Sequence, residues 1–157
     1  MSLPTGYGLK NTIGESADAQ AFDSVMKADA IIIVGANPTE GHPVFASQLK
    51  RRLRQGAKLI IIDPRSIALV RTPHIEADYH LQLGPGTNVA LFNALAHVIV
   101  TEGLVKEDYV DSRCEGDSYR KWKAFVAEPR NSPEATAAST GVDPDLVRRA
   151  ARVRDGR

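Results

Sequence analysis

The chain has 157 residues, 43% hydrophobic and 25% charged, with Lys+Arg 20 against Asp+Glu 19 and a formal net charge of +1. That length suits one globular domain with a real core, and the charge balance removes the electrostatic case for a dedicated nucleic-acid or acidic-surface binder. One cysteine, Cys114, excludes an internal disulfide and a cysteine-rich metal site, while 6% aromatics argue against a base-stacking platform.

Met1-Ser2-Leu3 has neither the charged flank nor the apolar core of a signal peptide and is compatible with a vector-derived start, which leaves residues 4–157 as a single domain. Asp29 to Gly35 is short, β-branched and without polar alternation, the pattern of a strand buried on both faces. Pro43 to Gln55 follows, with Val44, Phe45, Leu49 and Leu53 on one helical stripe, Pro43 suited to the first turn and Gly56 to the position past the end. The run Lys50-Arg51-Arg52-Leu53-Arg54 reads as the solvated face of that helix. Lys58 to Pro64 is a second strand, and Asp78 to Leu83 a third, alternating one. None of these apolar runs is long enough to span a bilayer.

The remainder is helical. Asn88 to Thr101 is apolar nearly all round and predicts a central buried helix ended by Gly103. Lys106 to Asp111, Asp117 to Val126 and Asp143 to Val153 predict further helices, with Asp143-Pro144 as a cap and first turn and Pro129 to Thr140 as the loosest connection. From Leu146 to Arg157 the pattern reads as a helix still running at the last residue, which marks the chain as an internal piece of a larger protein. The expected fold is α/β, a three-layer αβα sandwich with a mostly parallel, Rossmann-like sheet.

In such sheets ligands bind at the carboxyl ends of the strands, near a reversal of strand order. The first strand leads into Gly35-Ala36-Asn37-Pro38-Thr39-Glu40-Gly41-His42-Pro43. Gly35 permits close backbone approach, Asn37 offers an amide that both donates and accepts, and the opening of the next helix offers N–H groups to a phosphate. The second strand ends in Asp63-Pro64-Arg65, a carboxylate for ribose hydroxyls or a purine edge and a guanidinium for phosphate. The third leads to Pro85-Gly86-Thr87-Asn88, another tight turn opening a helix. The first loop is not a dinucleotide fingerprint, since Asn37 and Glu40 stand where glycines would be. Singly, each tip also reads as a turn or helix cap; three in succession favour a nucleotide site.

These residues, with Ala90-Leu91-Phe92-Asn93-Ala94 after the third tip, resemble the molybdopterin oxidoreductases of the dimethyl-sulfoxide-reductase family, whose members hold molybdenum or tungsten between two pterin guanine dinucleotides. Pro4-Thr5-Gly6-Tyr7-Gly8-Leu9, His97-Val98-Ile99 and Glu102-Gly103-Leu104 are similar to the formate dehydrogenase alpha, or catalytic, branch. The resemblance implies a domain that grips one molybdopterin guanine dinucleotide. Gly35, Ala36, Asn37, Pro38 and Glu40 would lie along the pyrophosphate or nucleoside, Asp63, Pro64 and Arg65 would hold ribose or guanine, and Gly86, Thr87 and Asn88 would close the pocket. It further implies formate as substrate, the rest of the catalytic subunit and electron-transfer subunits as partners, a cytoplasmic setting, no membrane insertion and no nucleic acid.

In the formate dehydrogenases of this family the metal ligand is a cysteine or selenocysteine followed by histidine and, one residue later, proline. Pro4 matches that proline, and Met1-Ser2-Leu3 stand where the ligand and histidine belong; the cysteines of the 4Fe-4S cluster also lie outside this stretch. The expectation is a chain with no catalytic residue and no metal ligand, inactive alone. Another family member such as a nitrate reductase, a stand-alone nucleotide-binding regulatory module, and a protein-interaction domain using the basic helix are the competing readings. Among the histidines, His42 is either a cofactor contact or a cap on the Pro43 helix, His74 and His80 read as structural rather than metal-binding, and His97 as a hydrogen-bonded core residue.

Overall fold

The computed structural model describes residues 3–14, 21–72 and 76–153. Its sheet is built from β1 (Ala30–Val34), β2 (Lys58–Ile62) and β3 (Tyr79–Leu81), all parallel and side by side in chain order. Ala30 pairs with Lys58 and Val34 with Ile62, while Ile60 pairs with Tyr79 and Ile62 with Leu81. All three carboxyl ends therefore leave at one edge. The order shows no reversal among the described strands, so that part of the ligand-site expectation is not met by these strands.

Helices cover both faces, which makes three layers. The α/β expectation holds. On one face, Leu59 and Ile61 of β2 and Ile31 and Ile33 of β1 pack with Val25, Leu49, Ile67 and Leu69. Val25 belongs to a 3-10 turn (Phe22–Lys27), Leu49 to α3 (Pro43–Arg54), and Leu69 to α4 (Ala68–Arg71). On the other face, Ile60, Ile62, Leu81 and Leu83 meet Leu91, Ala94 and Leu95 of α5 (Asn88–Thr101) and Val147 and Ala150 of α9 (Pro144–Ala151).

Four expectations need correction. β1 is not buried on both faces; it is an edge strand whose burial alternates, with Ile32 51% and Val34 40% exposed. The helices of the second face lie over β2 and β3 and stop short of β1. Next, α5 is buried along Leu91, Ala94, Leu95 and Val98 only, while Val89 and Phe92 are exposed. Third, Pro129 to Thr140 is ordered into a 3-10 turn (Pro129–Asn131) and α8 (Pro133–Thr140). Its proline at the first turn, the Ser132 hydroxyl accepting from the Ala135 N–H, and Gly141 at φ 73° in the left-handed region make a well-capped helix. Last, α9 stops at Ala151, where the Arg152 N–H returns to the Arg148 carbonyl at 3.1 Å. Its start is as expected, with Asp143 Oδ1 accepting from Asp145 N–H at 2.7 Å and Leu146 N–H at 3.3 Å.

The Pro43 helix forms as read, but its buried stripe is Ala46 and Leu49 flanked by half-buried Phe45 and Leu53, and Val44 is exposed. Arg52 is drawn out of the solvated face: its Nε donates to the Ala28 carbonyl and its Nη2 to Asp29, each at 2.7 Å. α1 (Leu3–Ile13), the single turn α2 (Pro38–Gly41), α6 (Glu107–Arg113) and α7 (Gly116–Ala127) complete the described elements, with α1 unanticipated because Gly6 and Gly8 are poor helix formers. No described helix is long and apolar enough to cross a membrane.

Candidate functional site

At the tip of β1 the chain turns at Gly35, whose φ of 58° falls where a side chain is strained and where an added Cβ would meet nothing within 4 Å. The Gly35 N–H still donates to the Ile62 carbonyl at 2.9 Å, tying this turn to β2. Asn37 then starts a single helical turn, α2 (Pro38–Gly41), held by Glu40 and Gly41 N–H groups donating to the Asn37 carbonyl at 3.2 and 2.9 Å. The expected phosphate-facing helix start is thus divided in two, and a four-residue helix has little dipole of its own. Two side-chain atoms here, Asn37 Oδ1 and Thr39 Oγ1, are closed to solvent and have no partner among the described residues. Such groups are rare in native proteins because each costs roughly 1–3 kcal/mol unless something binds it. Thr39 was not anticipated; a hydroxyl beside Asn37 and Pro38 was the available signal.

The tip of β2 is fixed more tightly. The Asp63 carboxylate is 1% exposed, and Arg65 binds it three times. The Arg65 backbone N–H donates to Oδ1 at 2.8 Å, Nε to Oδ1 at 3.1 Å and Nη2 to Oδ2 at 3.2 Å. These side-chain bonds hold the Asp63 carboxyl below its ordinary range, against burial, which pushes the other way. The same pairing, with a smaller contribution from Glu40, raises the Arg65 guanidinium further above its ordinary value. Asp63 does not cap a helix: α4 begins five residues on, after Ile67. Arg65 itself is 68% exposed, just past the carboxyl end of the central strand β2. From β3, His80 Nε2–H donates to the Asp63 carbonyl, and just past the strand Gln82 Nε2–H donates to the Pro64 carbonyl, both at 2.9 Å.

The third tip emerges at the same edge but turns inward on itself. Gly86 has a φ of 84°, and the Thr87 hydroxyl donates to the Gly84 carbonyl at 2.7 Å. The Gly84 N–H donates to the Thr140 carbonyl at 2.8 Å, so this turn is braced by α8. Asn88 is exposed. No described hydrogen bond joins Gly86, Thr87 or Asn88 to the first two tips.

The remaining histidines and the cysteine lie apart from these turns or make no bond in them. His42 is exposed and its side chain does not cap α3. His97 Nδ1–H donates to the Val126 carbonyl at 2.8 Å, the core role expected of it. His74 lies outside the described residues. Cys114 is exposed at the end of α6, and among the described residues no three His, Cys, Asp or Glu side chains converge on a metal position.

The sequence model of molybdopterin oxidoreductases matches residues 3–142. The chain belongs to that family. Formate dehydrogenase H of Escherichia coli is 37% identical to this chain over 151 residues, covering 96% of it and 20% of the relative. A nitrate reductase of Symbiobacterium thermophilum is 34% identical, covering 92% and 20% respectively. Among solved structures, acetylene hydratase from Pelobacter acetylenicus superposes with a TM-score of 0.66 at 28% identity, over 79% of this chain and 16% of that one. This molybdopterin-family chain thus spans about a fifth of the curated relatives it matches.

Proposed function

We propose that the chain, as one domain over residues 4–157, holds the nucleotide end of a molybdopterin guanine dinucleotide within a larger cytoplasmic, formate-oxidising catalytic subunit. The observation that carries this reading is the β1 tip, where Asn37 Oδ1 and Thr39 Oγ1 have no partner among the described residues and sit beside a glycine in the left-handed region. An amide and a hydroxyl at that place suit ribose hydroxyls or the polar edge of a base. At the neighbouring tip Arg65 supplies a positive charge for a pyrophosphate oxygen, and Asp63 orients it. The residues present therefore fit the nucleoside and pyrophosphate part of the group.

When bound, the molybdopterin supplies a metal centre for two-electron oxidation of substrate. The residues of this chain do something narrower. Asn37 and Thr39 bind and orient the nucleoside, with Gly35, Ala36 and Pro38 shaping the loop. Arg65 neutralises charge, Glu40 limits where anions settle, and Gly86, Thr87 and Asn88 bound the pocket through their turn. None of them moves a proton or an electron, so the chain alone turns over no formate. The metal ligand, the 4Fe-4S cluster and the electron-transfer partners belong to the rest of the assembly in this reading. Formate is favoured over nitrate because the formate dehydrogenase relative is matched at higher identity and over more of the chain.

Calorimetric titration with GDP, which carries both guanosine and pyrophosphate, tests the proposal. Saturable binding that weakens in Asn37→Ala and Arg65→Ala is expected. No binding, or binding indifferent to both substitutions, overturns it. Formate-dependent dye reduction by the pure chain would contradict the division of labour.

A further inference from the structure

The backbone ladder between β2 and β3 ends at Ile62 and Leu81, yet the two chains stay joined beyond it. Past that point the Asp63 and Pro64 carbonyls have no strand opposite them. His80 of β3 and Gln82, one residue past its end, take over, each reaching one carbonyl at 2.9 Å. The Asp63-Pro64-Arg65 turn is thus gripped from both sides: the two carbonyls by His80 and Gln82, the carboxylate by Arg65. Proline at the centre limits the remaining backbone freedom.

We infer that His80 and Gln82 are positioning residues of the nucleotide subsite, setting the direction in which Arg65 presents its guanidinium without themselves contacting the ligand. This rests on the reading of Arg65 as an anion contact. The physical case is one of preorganisation. An arginine that is 68% exposed keeps a fixed orientation only if its backbone and its carboxylate partner are both fixed. Asp63 supplies the second condition; His80 and Gln82 supply the first. The His80 bond also fixes the imidazole with its hydrogen on Nε2, and both the neutral ring in that tautomer and the cation can donate it.

The test compares wild type with His80→Leu, Gln82→Leu and His80→Gln, the last placing an amide donor near the Nε2 position. Three quantities are read: the dissociation constant for GDP, the melting temperature, and the NMR signal of the Arg65 Nε–H. Loss of one such bond should weaken GDP binding about three- to tenfold in each leucine variant. The Arg65 signal should shift or broaden, and His80→Gln should restore both toward wild type. Gln82 is exposed, so Gln82→Leu remains informative if His80→Leu folds poorly. Leucine variants that lower the melting temperature but keep wild-type affinity and an unchanged Arg65 signal would overturn the inference and leave the nucleotide reading intact. A wild-type chain that binds no GDP would overturn both.

Discussion

β1 and β2 are close in composition, Ala-Ile-Ile-Ile-Val against Lys-Leu-Ile-Ile-Ile, yet they have different environments. Every residue of β2 after Lys58 is buried, whereas β1 alternates between buried and exposed. The cause is position in the sheet. Among the described residues, β2 has a strand on each side and helices over both faces, while β1 has one neighbouring strand and one covered face. Their tips differ in parallel. The β2 tip has its Asp63 carboxylate and two backbone carbonyls bonded, and the β1 tip keeps two closed polar atoms without partners among the described residues. Burial of an apolar run is thus a property of its neighbours, and the less satisfied strand end is the one we propose meets a ligand.

The largest expected effect contrasts the two strands directly. Ile61→Ala in β2 removes a fully buried side chain and should cost about 2–5 kcal/mol in denaturant unfolding. Ile32→Ala in β1 deletes a half-exposed one and should cost about 1 kcal/mol or less. Equal losses would mean that the second face of β1 is covered after all.

The next contrast concerns the tips. Asp63→Ala removes a buried charged acceptor and should cost about 1.5–3 kcal/mol of stability as well as weakening GDP binding. Asn37→Ala should weaken GDP binding while leaving the melting temperature unchanged or slightly higher, because its Oδ1 has no partner among the described residues. Unfolding curves and titrations on the same samples separate the two patterns, and a destabilised Asn37→Ala chain would break the contrast.

The smallest effect is one of pH. Asp63 has a folded pKa below its unfolded value, so its contribution is complete above about pH 4 and disappears as pH falls through the lower, folded value. The stability gap between wild type and Asp63→Asn should therefore narrow between pH 7 and pH 3. A gap that widens on acidification would reverse the assigned direction.

These contrasts also mark what was legible in the sequence. The β-branched runs, the Pro43 and Pro144 helix starts and the order of the tips were readable because local chemistry decides them. The edge position of β1 was not, since an uninterrupted apolar run looks the same whether one face or two are covered. The exposure of Val89 and Phe92 escaped for the same reason: a helix apolar all round does not say how many neighbours it has. At the site, the residue types at the tips were legible, but the roles of Asp63, His80 and Gln82 depend on contacts across strands. The bond from His80 to Asp63 joins residues 17 apart in sequence. Nothing local to either residue announces it.

The most direct test of the central claim is the set of backbone NMR shifts caused by GDP in the isotopically labelled chain. The account predicts that the largest changes fall on Gly35, Asn37, Thr39 and Arg65, with smaller ones at Gly86 to Asn88. Changes concentrated instead on the exposed basic residues Arg51 and Arg54 of α3, with the strand tips unmoved, would contradict it.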